Sequence, residues 1–309
     1  MCILFWTTAD PDYEIIVADN RDEFLARPTA PAAWRTVRTA DGHDIDMLCG
    51  LDTLAGGTWM GVAKTGAFAV LTNVTELPPP RTTPDGQPLR SRGELVMSWL
   101  ENVRDPAMYD EGLQSLEASK PMYAGFNLVV GHLSQEPVCV HYVSNRSRQS
   151  GSTLKGDGQS VQGVSNSAID ESWPKVVQGK QSMQCALQAP RTTEEELIDR
   201  LFGVLATSES PLASHHEMRR TIHVEPLRIP SNKEKTKLAT ASEMKAGVAQ
   251  SWYATRTSTL FMVTRTTPRR AVWIERDMYE LDNDMPKVLH YTNTETRAQH
   301  ERRFTWTLG

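Results

Sequence analysis

The chain has 309 residues, 39% hydrophobic and 23% charged, which is enough apolar material for one large domain or two smaller ones. A net charge of −5 argues against general nucleic-acid binding, which calls for a basic face. No apolar run is long enough to span a membrane, and Cys2, Cys49, Cys139 and Cys185 form no Cys-x-x-Cys pair, which speaks against a disulfide scaffold or a zinc site.

Cys2 to Thr7 reads as a short strand and Tyr13 to Val17 as a second, rich in β-branched and aromatic residues. Asp10-Pro11-Asp12 between them is turn chemistry, so the two runs make a hairpin that returns Asp19 to Glu23 beside Cys2. The acids Asp10, Asp12 and Glu14 follow the apolar start too soon for a signal peptide and argue against a mitochondrial presequence, leaving the cytosol as the default compartment. Pro28 to Pro31 reads as a loop. Leu48 to Asp52 follows, and then Gly56 to Val62 and Gly66 to Asn73 read as paired strands turning at Lys64-Thr65-Gly66. Pro78 to Pro88 is irregular.

Ser91 can cap a helix with Glu94 at the third position, and Leu95, Val96, Trp99 and Leu100 give that helix an apolar side. A short helix is expected within Pro106 to Lys120, then strands at Tyr123 to Gly131 and Pro137 to Val143. Pro174 suits the first turn of a helix, and Thr192 or Thr193 caps another from Glu194 to Leu205. Ser208 to Lys237 is polar and proline-punctuated, the pattern of a long loop or flexible insertion. Trp252 to Val263, Ala271 to Arg276 and Phe304 to Leu308 read as the last strands. Strands split by a central block of helices fit an α+β domain with helices on the outer faces of sheets. No Gly-rich phosphate loop is present and His215-His216 lacks ligand company, so neither a cofactor nor a metal is expected.

Cys2 becomes the first residue if Met1 is trimmed, and trimming is usual before so small a side chain. A free terminal cysteine carries an amine of pKa about 7.7–8.0 next to a strong nucleophile. Such an amine can serve as base for its own side chain. The alternative is a small apolar residue at the start of an edge strand.

Taken together, MCI at the start, ADNRDEFLARP, LCGLD, GGTWMG, LTN, SRGELV, YAGFNLV, GVSNS followed by WPK, and TRTSTL resemble the NRDE family, whose eukaryotic member is transport and Golgi organisation protein 2. Asp19 departs from the alanine common there. The order of functional residue types is also similar to the cysteine-type N-terminal nucleophile hydrolases. The resemblance implies one domain over 1–309 with an insertion about 208–237, built as a four-layer αββα sandwich. It also implies a site made of Cys2, Arg21, Asp22, Asn73, Asn166 and Arg256.

In that site Cys2 is the nucleophile, Arg21 lowers the thiol pKa, and Asp22 fixes the terminal ammonium. Asn73 and Asn166 donate to the oxyanion, and Arg256 anchors the network or binds a substrate carboxylate. Asn20, Glu23 and Trp59 are candidate binding residues. For each the alternative is ordinary: a surface ion pair for Arg21 and Asp22, turn chemistry for the asparagines, core packing for Trp59. Two functions stay open. One is a hydrolase opening an amide or thioester bond. The other is a non-catalytic carrier of an amphipathic metabolite such as haem or acyl-CoA. The resemblance links both to Golgi organisation, protein secretion, haem trafficking and lipid metabolism, with Golgi or mitochondrial association.

Overall fold

The computed structural model describes residues 2–76, 78, 80–135, 137–153, 160–209, 212, 216–228, 252–291 and 294–308. The chain opens with β1 (Ile3–Thr7), β2 (Tyr13–Phe24), β3 (Thr29–Arg38), β4 (Asp44–Asp52), β5 (Met60–Ala63) and β6 (Ala67–Asn73). Helices α1 (Gly93–Asn102) and α2 (Tyr109–Ser119) follow, then β7 (Phe126–His132), β8 (Val140–Ser144), β9 (Ser152–Thr153) and β10 (Gln162–Val164). Next come α3 (Pro174–Gln188), α4 (Glu194–Leu205), β11 (Leu227–Arg228), β12 (Trp252–Thr264) and β13 (Arg270–Asp277). A small hairpin of β14 (Tyr279–Asp282) and β15 (Met285–Val288) precedes β16 (Glu301–Thr307).

The strands build two antiparallel sheets. The first runs β10-β1-β2-β12-β13-β16, with β11 on β12; the second is a meander from β3 to β9. Side chains on a strand alternate between faces, and both faces of each sheet are apolar here. From the first sheet Leu4, Trp6, Ile15 and Val17 meet Leu48, Val62, Phe68 and Val129 of the second in one core. Their neighbours Ile3, Phe5, Ile16 and Ala18 point the other way, against Val176 and Met183 of α3 and Leu197, Ile198 and Leu201 of α4. On the far side Met47, Ala69, Leu71 and Leu128 pack on Leu95, Val96, Trp99 and Leu100 of α1. The layers are therefore helix, sheet, sheet, helix, the four-layer αββα sandwich that the resemblance implies.

Two local readings change. Pro28 to Pro31 is not simply a loop, because β3 begins at Thr29; a register shift between Ala30 and Ala33 accommodates Pro31, which cannot donate to a ladder. Ser91 does not cap α1. Arg92 occupies the cap position without a side-chain bond, and the Glu94 carboxylate is drawn instead to Arg90, with Arg90 Nε at 2.8 Å. The stretch Ser208 to Lys237 is packed where it is described: Met218, Ile222 and Val224 are buried, and β11 joins the first sheet. Its residues 229–237 lie outside the described residues, as does His215.

Helix α3 crosses directly over Phe5. A Cβ at Gly179 would lie 2.1 Å from Phe5 Cζ, closer than any real contact. Gly179→Ala should therefore cost about 1–3 kcal/mol through overpacking. Urea unfolding checks this, and an unchanged midpoint would mean that α3 does not sit this close to the sheet.

Candidate active site

Cys2 stands just before β1, half-buried, where the hairpin register pairs Ile3 with Asn20. Its Sγ lies 3.9 Å from the Asp22 main-chain oxygen. Its own carbonyl accepts a 2.6 Å bond from Ser165 Oγ. The residue thus points into the fold from both sides. Burial pushes the thiol up to about 11, and the nearby charges of Asp22 and Asp19 add to this.

Asp22 is held from β12 and α3. Thr255 Oγ1 donates to its Oδ1 at 2.6 Å, and Tyr253 donates its hydroxyl to its main-chain oxygen at 3.0 Å. Its Oδ2 lies 4.0 Å from Lys175 Nζ, and neither side chain is exposed. Lys175 enters on the first turn of α3, which Pro174 starts. Burial lowers the lysine pKa, while Asp22 and Cys2 pull it back up. Thr255 also accepts from Val224 N at 2.8 Å, so the described part of the 208–237 stretch backs the aspartate.

The Ser165-Asn166-Ser167 turn brings the second half of the site to Cys2. Asn127 Nδ2 holds it from the second sheet, donating at 2.9 Å to the carbonyls of both Ser165 and Ser167. Tyr142 fixes Asn127 by donating to its Oδ1 at 2.6 Å. Asn166 Nδ2 donates at 2.6 Å to the carbonyl of Asn73, and Thr75 N donates back to the Asn166 carbonyl at 2.8 Å. One N–H of Asn166 is therefore spent on Asn73. The Asn73 side-chain amide is half-buried and makes no hydrogen bond among the described residues.

Strand alternation turns Arg21 to the other face of β2 from Asp22. Asn20 and Asp22 face the helices, whereas Arg21 faces the second sheet. Its guanidinium stacks 4.1 Å from the Trp59 ring, with Nη1 3.5 Å from Thr29 Oγ1 and Nη2 4.0 Å from Glu23. Trp59 in turn needs Gly50, where a Cβ would lie 2.4 Å from its ring. Asn20 braces the outer layer: Nδ2 donates to the carbonyls of Leu205 at 2.8 Å and Ile222 at 3.1 Å, and Oδ1 accepts from Ser258. Glu23 accepts from Phe24 N and lies 3.7 Å from Arg27. Arg256 is the extra residue of a bulge in which Thr255 pairs with Asp22 but Thr257 with Arg21. It donates to the Arg27 carbonyl, and burial beside Arg21 lowers its pKa to about 10.

Arg256, Trp59 and Thr29 line a cavity of about 260 Å³ between the sheets. A larger one of about 770 Å³ lies between Pro80–Pro84 and Ser144–Arg148, and none of the residues above lines it.

The profile of the Transport and Golgi organisation 2 family matches residues 1–280. The chain belongs to this family. Its relatives include the Transport and Golgi organization protein 2 homolog of Bos taurus, 34% identical over 69% of this chain and 74% of the relative. The Mus musculus homolog is 33% identical over the same shares. Among solved structures, a mutant of the conjugated bile acid hydrolase from Clostridium perfringens aligns over 94% of this chain and 97% of that one, with 8% identity and a TM-score of 0.39. Among the described residues of this Transport and Golgi organisation 2 chain, no helix is long and apolar enough to cross a membrane.

Sequence reasoning missed Lys175, Thr255, Tyr253 and Asn127. The trace of Lys175 is a lysine directly after a helix-starting Trp-Pro; nothing local marks the others.

The charges around Cys2 make opposite predictions. Asp22→Asn should lower the alkylation midpoint of Cys2 by about one pH unit, and Lys175→Met should raise it by a similar amount. Iodoacetamide rates against pH measure both. Shifts of the same sign would mean that the two groups do not act on the thiol as a pair.

Proposed function

We propose that this chain is an N-terminal nucleophile hydrolase of the cysteine type that opens a linear amide or thioester bond. The observation that supports it is the inward position of Cys2, 3.9 Å from Asp22, with its carbonyl held one residue away from Asn166. Once Met1 is removed, the free amine of Cys2 takes the thiol proton and the thiolate attacks the acyl carbon. Asp22 accepts from the resulting ammonium. The side-chain amide of Asn73 and the remaining N–H of Asn166 receive the oxyanion. The ammonium returns its proton to the leaving amine or thiol, and water then releases the acyl group from Cys2. The names of the relatives support transport and Golgi organisation as the setting.

A carrier function for an amphipathic metabolite draws on the inter-sheet cavity. At about 260 Å³ that cavity is just under the range of roughly 300–1,000 Å³ typical of ligand sites, which favours a small ligand over haem or acyl-CoA.

An intact mass should find Met1 absent. A thiol probe should then label Cys2 ahead of Cys185, which is the exposed cysteine. An acyl electrophile should modify the wild type but not Cys2→Ala, and Asn166→Ala should acylate roughly 10²–10³-fold more slowly. Retention of Met1, or labelling that follows exposure alone, would remove the basis for hydrolysis.

A further inference from the structure

The inward face of the first sheet carries a row of buried polar side chains that the proposed chemistry does not use. Register places Thr259 opposite Asp19 on one side and Glu275 on the other, with Thr257 opposite Arg21 one step along. All are less than a tenth exposed. Asp19 Oδ2, Thr257 Oγ1, Thr259 Oγ1 and Glu275 Oε2 have no hydrogen-bond partner among the described residues. Such atoms cost free energy unless something donates to them. Thr257 and Glu275, the end of the row away from Asp19 and Thr259, line the 260 Å³ cavity, and Trp59, Leu25, Leu281 and Leu289 give that cavity apolar walls.

We propose that the Thr257 and Glu275 end of this row, with the Asp19 carboxyl behind it, is a binding subsite for the primary ammonium end of a small amphipathic molecule, whose apolar body lies against Trp59 and Leu289.

The unmet atoms favour a donor. The two carboxylate oxygens accept when ionised and the threonine hydroxyls can accept, which suits a group that only donates, such as ammonium. The ion pairing agrees. Asp19, Glu275 and Asp277 share this face with Arg21 and Arg302, and Arg302 is already committed to Glu275 at 2.9 Å and Asp277 at 2.7 Å. At the mouth Arg27 pairs with Asp52 at 2.7 Å and lies near Glu23, with Arg256 beside it. Each guanidinium named here already has an oxygen partner, whereas Asp19 Oδ2 and Glu275 Oε2 have no hydrogen-bond partner among the described residues. Burial and the neighbouring Asp22 and Glu275 also hold the Asp19 carboxyl above its ordinary range, an effect that an adjoining cation reverses.

The subsite rests on the proposed hydrolase only in supplying the substrate class, an amine-bearing acyl compound; binding itself needs no turnover. Benzylamine, benzyl alcohol and benzoate compare a cation, a neutral donor and an anion on one ring. Calorimetric titration into the full-length Cys2→Ala protein separates binding from chemistry. Benzylamine should bind saturably and roughly tenfold or more tighter than the other two, the difference expected of a hydrogen bond to a charged group. Asp19→Asn should weaken benzylamine by a similar factor while leaving the melting temperature equal or higher, because it removes a buried carboxylate with an unmet oxygen. Thr257→Val, which keeps the shape, should weaken it less. The proposal fails if benzoate or benzyl alcohol binds as tightly, if no amine binds, or if Asp19→Asn leaves benzylamine affinity unchanged.

Discussion

Successive side chains on a β-strand point to opposite faces, and in β2 that alternation sorts charge. Asn20 and Asp22 turn toward α3 and α4, whereas Asp19 and Arg21 turn toward the second sheet. The four-residue run Asp19 to Asp22 therefore supplies two environments. On the helix side Asp22 meets Lys175 beneath Cys2. On the sheet side Arg21 covers Trp59 beside a cavity. The bulge at Arg256 preserves the split, since it keeps Thr255 on Asp22 while bringing Thr257 opposite Arg21.

Burial raises the thiol pKa first, and the Asp22 charge on the helix side adds to it. Two charges with no exposed side-chain surface are costly to bury, and their attraction offsets that cost only when further hydrogen bonds complete the shell. Thr255 supplies one such bond to the Asp22 carboxylate, and Tyr253 holds its main chain. An arrangement so costly is weak as a stability device, which makes a role in chemistry the better account of it. The thiol beside it is held in its neutral form by the same burial. Activation therefore has to come from a base delivered to Cys2 itself, and a free α-amine on that residue is such a base.

Much of this was legible in the sequence where contacts are local. Asp10-Pro11-Asp12 between two apolar runs gave the first hairpin, and with it the approach of Asp22 to Cys2. Thr193 before three glutamates gave the start of α4, where Thr193 accepts from Glu196 N. Lys175 was visible only as a residue in a helix start, because its partner lies 153 positions earlier on another strand. Asn127 sat unnoticed inside an apolar strand, yet it ties the Ser165–Ser167 turn to the second sheet. Arg21 lies on the opposite face of β2 from Asp22, as strand period two requires, and the hairpin register continues from Ile3 and Asn20 to Cys2 and Arg21. The register that lines up Asp19, Thr259 and Glu275 is fixed by pairings among β2, β12 and β13, which no single window contains.

The central claim is that the amino end folds inward onto a prepared acyl-transfer site. A crystal structure of the mature protein after treatment with an acyl electrophile tests it most directly. The account predicts an acyl group on Cys2 Sγ, with its carbonyl oxygen within hydrogen-bond reach of the Asn73 and Asn166 amides and the free amine on Asp22. An adduct on another cysteine, or a Cys2 turned out to solvent away from both asparagines, would contradict it.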